Sequence, residues 1–539
     1  TLFSVLGLAL CGTLALTSCG SSSNTANDGI ITTYNTEPEN PLIPGNTTEV
    51  GGGDPIDVMF SGLISYSSAG EPVNEVADAI ETTDNQNFTV KLKDWKWSDG
   101  TDLVAEDFVN TWNFTANLKN GQLCSSFFDQ IKGFDAVAPQ DDAAVDALTG
   151  QETMEGLKVI DDKTFTIELS APSSTFELRL GMSAFYPVPH DKLSDINAFG
   201  ENPVSNGPFK LSAWNHNVDL ELVPNENYKG DRVAKNKGVT FKFYTDPDAG
   251  YTAVQSGDLD IMDTVPNSHI TDFKTDDSLV GRSDPSSLFE MFSIPEYIKH
   301  FGNDEEGKLR RQAISMAIDR QTAIDKILNG TAKAATSFSA VTDQINGSTD
   351  DVEGNDVLKY NPEKAKELWA QADQISKWED TDVFKISFNA DGGAQQMYEA
   401  ICNSIANTLG IDAQPDSVVD FKTLRQSANA KTLQYAIRDG WQPDYPSIEN
   451  YLQPMVASNG SSNDSDYSSP EVDKLLQEGS QATSLDEANK YFTQAQAVLM
   501  KDLPYIPVYS RNVNSVIGKN VQNYALTWKG VPDYVNISK

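Results

Sequence analysis

Cysteine and histidine are scarce in this chain, at four residues each among 539. Cys11 and Cys19 fall within the first twenty residues, which leaves Cys124 and Cys402 for the body of the protein. Two cysteines so far apart make no disulfide framework, and two separate buried thiols are the expectation, with a pairing left open. His190, His216, His269 and His300 stand singly, without an HExxH or similar pair, so no metal site is expected. Basic residues are also short: 40 Lys and Arg face 78 Asp and Glu, for a net charge of −38. That balance excludes nucleic acid and anionic membrane surfaces as direct partners, since both need basic patches. The acids are dispersed rather than gathered into a tail, which is the pattern of a solvated surface. No apolar run after Cys19 is long enough to span a bilayer. There is no GxSxG elbow, no P-loop and no GxGxxG after a strand, and carboxylates are too abundant for one pair to stand out as a glycosidase couple. Without nucleophile, metal set or nucleotide loop, the chain reads as one that captures a ligand. No cofactor and no catalysis are expected.

What is present begins at the N-terminus. The apolar run Leu2 to Leu16, interrupted by Gly and Thr, ends in Leu16-Thr17-Ser18-Cys19 and is followed by Gly20-Ser21-Ser22-Ser23. A short hydrophobic core closing on small residues is a secretory signal rather than a membrane span. Leu16-Thr17-Ser18-Cys19 resembles the lipobox of bacterial lipoproteins, in which the cysteine is lipidated and becomes the new N-terminus. A plain signal peptide cleaved nearby, with Cys19 incidental, is the alternative. Thr1 is neither a start methionine nor part of a basic region, so further residues are expected before it. From Cys19 to about residue 28 the chain is Ser-, Asn- and Gly-rich, a flexible tether able to reach about 30 Å.

The body alternates strand and helix signals. Phe165, Ile167 and Leu169 alternate with polar residues, as do Val218, Leu220 and Leu222, which is the period of a half-buried strand. Leu157 to Ile160 and Thr164 to Leu169, joined by Asp161-Asp162-Lys163, read as a hairpin. A strand at Val239–Phe243, a helix capped by Asp246 and a strand at Asp258–Met262 suggest a βαβ unit. Helices dominate thereafter, with starts marked by Asn361-Pro362 and by Ser484 with Glu487, and a stop at Gly410. Tyr505 to Tyr509 looks like a returning strand.

Several segments, in order, resemble the large solute-binding proteins of ABC importers, the dipeptide and oligopeptide class known as family 5. They are Phe60-Ser61-Gly62-Leu63, Trp97-Ser98-Asp99-Gly100-Thr101 with Ala105 to Val109 and Trp112, Asn206-Gly207-Pro208-Phe209 with Asn225 to Tyr228, and Arg311 to Ile314 with Ala317 to Arg320. The resemblance implies an α/β, two-lobed periplasmic-binding-protein-like fold with hinge strands and an extra subdomain on the first lobe. Residues 1–18 would be the signal and 19–28 the tether. Residues 29–283 and 506–539 would form the first lobe, with its subdomain near 66–186, and 284–505 the second.

The segment Arg438-Asp439-Gly440-Trp441-Gln442-Pro443-Asp444-Tyr445 is similar to the one in which oligopeptide binders hold the ligand. The resemblance implies Asp444 as partner of a peptide α-ammonium group, with Gly440 and Gln442 offering main-chain groups and Trp441 and Tyr445 flanking them. Asp444 as a turn residue, and Trp441 and Tyr445 as core aromatics, stand as alternatives. Gly51-Gly52-Gly53 is either a close-approach point for ligand at Gly52 and Gly53 or a plain loop. Asp350-Asp351 and Asn463 to Asp466 read as solvated loops without ordered cation spacing. The function implied is a monomeric, lipid-anchored receptor on the extracytoplasmic face. It captures short peptides and delivers them to an ABC permease and its ATPase. The same fold binding an oligosaccharide or a metal chelate is the alternative, and a secreted hydrolase the remote one.

Overall fold

The structure is a computed structural model in which residues 29–539 are described, apart from 391, 392, 420 and 459. The expected signal segment, the lipidation at Cys19 and the tether lie outside the described residues. One eleven-stranded sheet runs through the molecule. Its strands are β1 (Ile30–Asn35), β2 (Phe209–Asn215), β3 (Asp219–Pro224), β4 (Gly238–Phe243), β5 (Ile261–Met262), β6 (Val280–Ser293), β7 (Ala332–Ala334), β8 (Phe384–Asn389), β9 (Ala413–Val418), β10 (Ala436–Trp441) and β11 (Tyr505–Ile517). Their spatial order is β9-β8-β10-β6-β11-β5-β1-β4-β3-β2, with β7 also on β11. β4 and β5 both lie parallel to β1, and the helix Pro247–Ser256 connects them, so the expected βαβ unit is present.

β6 and β11 are the longest strands and pair antiparallel along most of their length. Val280–Pro285 pairs with Asn512–Ile517, beside β5 and the first lobe. Phe289–Ser293 pairs with Tyr505–Ser510 on one side and with β10 on the other, inside the second lobe. The register breaks between Pro285 and Phe289. The molecule is therefore two-lobed, and these strands carry the chain between the lobes.

Each lobe has its own core. One is built from residues such as Phe60, Trp112, Phe165 and Phe241, and the other from residues such as Phe292, Ile314, Ile401 and Phe492. Cys124 is buried in the first and Cys402 in the second, both as free thiols. A separate four-stranded sheet, of strands Ala77–Thr82, Asn87–Leu92, Thr164–Glu168 and Leu157–Asp161, packs with helix α2 (Ala105–Ala116) onto the first lobe. Phe165 and Ile167 point into that core, as their alternation requires. Helix α1 (Val50–Met59) holds a correction: Gly51, Gly52 and Gly53 lie in its first turn and not in a loop. Glu49 caps it, its carboxylate accepting from the Gly52 N–H at 2.9 Å.

The segments that carry the family resemblance are structural staples. Asp107, 2 % exposed, accepts from the Trp97 indole N–H at 3.1 Å, from the Val104 N–H at 3.0 Å and from the His190 N–H at 2.8 Å. Gly100 turns the Trp97–Thr101 segment at φ +90°. The Asn206 side chain pairs with both the N–H and C=O of Ser61, at 2.9 and 2.8 Å. Arg311 donates to the carbonyls of Phe301 and Asp502.

Removing the Asp107 carboxylate strands three buried or half-buried donors at once, and each unsatisfied group costs about 1–3 kcal/mol. Asp107→Ala should therefore lose about 3 kcal/mol or more in urea-induced unfolding. A loss under about 1 kcal/mol would show that the motif does not hold the subdomain.

Candidate ligand-binding site

The site begins with a strand that loses its neighbour. β8 pairs in parallel with β10 only at Ala436 and Ile437. β6 holds the other edge of β10 from Ile437 to Trp441. From Arg438 onward the edge of β10 away from β6 has no strand partner among the described residues. The Gly440 N–H is turned to the Asp439 carboxylate of its own strand, at 2.8 Å.

A cavity of about 400 Å³ lies here, and its walls include Glu290, Arg425, Arg438, Asp439, Trp441 and Arg511. Three elements supply its arginines: helix α3 (Phe421–Asn429), β10 and β11. Arg438 and Arg511 share one oxygen of Glu290, the Arg438 pair at 2.6 Å. Arg425 pairs with Asp464. Two guanidinium groups thus share one buried carboxylate, and the Arg438 Nε–H is buried without an acceptor among the described residues. Burial, reinforced by the charge of Asp464, pushes the Asp439 carboxyl up to about 7, against the pull of Arg425, the Gly440 N–H and Arg438.

Gly440, Trp441 and Gln442 line this cavity. Asp444 lies beyond it, half-buried past Pro443. Asn450 holds it in place, accepting from the Asp444 N–H at 2.9 Å and donating to its carboxylate at 3.2 Å. The same Asn450 oxygen accepts from the Trp441 indole at 3.1 Å. Burial raises the Asp444 carboxyl above its ordinary range, while Asn450, Arg179 and Lys529 pull it back down.

Three expectations need correction. Tyr445 is a core residue of the first lobe: its hydroxyl donates to Glu449, and the Arg179 guanidinium lies 5.2 Å over its ring. Gly52 and Gly53 lie outside the cavity wall, and Glu49 already occupies both their amides. The Asn463 to Asp466 loop is not simply solvated, because Asp464 is nearly buried on Arg425 and Asp466 pairs with Lys431 at 2.6 Å. Sequence reasoning missed Glu290, Arg425, Arg511 and Asn450. Only the position of Arg438 and Asp439 next to Gly440 hinted at a charged site. Among the described residues no cluster of three or more potential metal ligands occurs, and no helix is long and apolar enough to cross a membrane.

Comparison with known proteins fits this geometry. The model of the bacterial extracellular solute-binding proteins, family 5, matches residues 71–463. The chain belongs to that family. It is an extracellular solute-binding protein, and family 5 members bind solutes for transport rather than act as enzymes. Over 98 % of the chain and 97 % of the relative, it is 26 % identical to the oligopeptide-binding protein OppA of Bacillus subtilis. Among solved structures, the unliganded open form of the murein tripeptide binding protein MppA overlays with a TM-score of 0.79. That overlay has 23 % identity and covers 94 % of this chain and 96 % of the other. DppA of Helicobacter pylori, in complex with the peptide STSA, overlays with a TM-score of 0.72 at 18 % identity, covering 95 % and 98 %.

Asp439 makes the site sensitive to pH. Its carboxyl titrates near 7 in the folded protein and near 3.9 unfolded, so between those values the folded state binds more protons. Stability contributed by this group therefore falls as pH rises from about 4 to about 7. In thermal unfolding across that window, Asp439→Asn should decline less than the unmodified protein. Parallel curves for the two proteins would rule the assignment out.

Proposed function

We propose that this protein captures short peptides between its two lobes and delivers them to an ABC importer permease. Cys19 would be lipidated, holding the protein on the extracytoplasmic face of the membrane, and a partner ATPase would supply the energy. The observation that carries this reading is the open edge of β10 beside an arginine cavity and a fixed carboxylate. A peptide's side chains vary, but its backbone and charged ends do not. Sequence-tolerant binding therefore uses strand addition along the backbone and one charge at each end. The free edge from Arg438 to Trp441 suits the backbone, Asp444 the ammonium end, and the arginine cavity the carboxylate end. Relatives named for oligopeptides and dipeptides support the same choice.

Lobe closure completes the site. Contacts to ligand made only when both lobes meet shift the population toward the closed form, which is how two-lobed receptors close. No bond in the ligand is made or broken. The protein would work as a monomer, since each copy contains both halves of its site. A second reading rests on Trp441, whose half-buried ring on the cavity wall could stack on a sugar. A thermal-shift screen separates the two, because a ligand at a hundredfold its dissociation constant adds about 2.7 kcal/mol.

Asp444→Ala should weaken peptide binding by about 2–5 kcal/mol, the range for breaking a buried charge pair. N-acetylation of the peptide should reproduce most of that loss in calorimetry with the unmodified protein. Equal affinity for free and acetylated peptides would remove Asp444 from the ammonium role.

A further inference from the structure

A second cavity, of about 310 Å³, opens in the first lobe against α1. Two carboxylates one helical turn apart, Asp54 and Asp57, lie on its wall with the rings of Tyr66, Tyr186, Trp528 and Tyr534. Asp54 is 5 % exposed, with the carboxyls of Asp57 and Asp263 and the Lys529 ammonium as its charged neighbours. Asp57 spends one oxygen on the Lys529 ammonium at 2.9 Å, and its other oxygen is buried and unpartnered. Arg232, also on the wall, is already committed to Glu75 through its Nε–H at 3.0 and 3.1 Å. The cavity thus holds more carboxylate than its own cations answer. Burial, with Asp263 and Asp57 close by, raises the Asp54 carboxyl well above its ordinary range in the ligand-free protein.

Such a wall suits one kind of guest. A metal ion does not suit it, because among the described residues no group of three or more potential ligands is placed to hold one. Four aromatic rings share the wall with these carboxylates, a lining that favours an organic cation, which gains from ring faces as well as from charge. The cavity also adjoins the first one: the Gln442 side chain reaches the Lys529 carbonyl at 3.5 Å, and Trp528 packs with the core of the second lobe.

We infer that this cavity is a side-chain subsite for a lysine- or arginine-like group of the ligand, with Asp54 as its principal partner. The inference rests on the peptide reading above. A strand laid along β10 projects alternate side chains to opposite faces, so one set can reach the first lobe.

Calorimetry on the purified protein tests it with trialanine and two positional series, one carrying a single lysine and the other a single norleucine of similar shape. At one position lysine should bind on the order of tenfold more tightly than norleucine. That ratio should fall to about one in Asp54→Asn and shrink in Asp57→Asn. Equal affinity for lysine and norleucine at every position in the unmodified protein overturns the subsite, whatever the variants do. A lysine preference that survives in a folded Asp54→Asn overturns the role of Asp54. If trialanine binds without any lysine preference, the subsite alone fails. If no peptide binds, the peptide reading fails and takes the subsite with it.

Discussion

β6 and β11 lie side by side in the middle of the sheet, and every other element hangs from one half or the other of that ladder. Their pairing has a gap where Ser286, Ser287 and Leu288 fall out of register, and there the Ser286 hydroxyl donates to the Arg511 carbonyl at 2.7 Å. A ladder continuous on both sides of a short irregularity can bend there with few torsions changed, which is what a hinge needs. The position of the gap also fixes the site. Arg511 lies in the gap itself and Glu290 just on its second-lobe side, so the charged cavity forms where the lobes meet. Aromatic exchange adds a fixed edge to the cleft: Tyr445 packs into the first-lobe core and Trp528 into the second.

Charge is arranged against the gross balance of the chain. A net charge of −38 puts acid over the surface, yet several arginines are turned inward. Arg310, Arg311 and Arg320 are buried in the second lobe as structural forks. Arg320 pairs with no carboxylate among the described residues; it donates to the carbonyls of Ser315, Leu358 and Pro507, and burial lowers it to about 9. A guanidinium can satisfy several carbonyls at once from one planar group, which a lysine ammonium does less well. Arg425, Arg438 and Arg511 differ in facing a cavity. Their carboxylate partners hold them in position before any ligand arrives, which lowers the ordering cost of binding.

The residues that made the family legible are mostly not the ones that touch the cavity. Trp97, Asp107, Asn206 and Arg311 each satisfy buried polar groups that the fold itself creates. Periodicity likewise revealed the hairpin at Phe165 and Ile167, since burial on one face dictates alternation. The cavity was harder to read. Glu290 meets Arg438 across 148 positions and Arg511 across 221, and no local pattern announces such a meeting. Gly51 to Gly53 misled for a different reason. Three glycines carry low helix propensity, about 1 kcal/mol each, so local preference argued for a loop. Tertiary packing and the Glu49 cap prevailed, because a side chain at Gly52 would crowd Thr47 and Glu49.

The geometry of the 438–444 segment also bounds the ligand on the peptide reading. Asn450 ties Trp441 and Asp444 to one amide, so the end of the segment is fixed relative to β10. Asp444 and Arg438 are six residues apart, and an extended chain advances at most about 3.3–3.6 Å per residue, so their Cα atoms stand no more than about 22 Å apart. A strand-like peptide spanning that backbone distance is short, on the order of six residues. Longer chains would have to leave the cleft or fold within it, and shorter ones would leave one end charge unmet. Short ligands therefore follow on that reading from the spacing of two charged residues along the 438–444 segment, before any side-chain preference is considered.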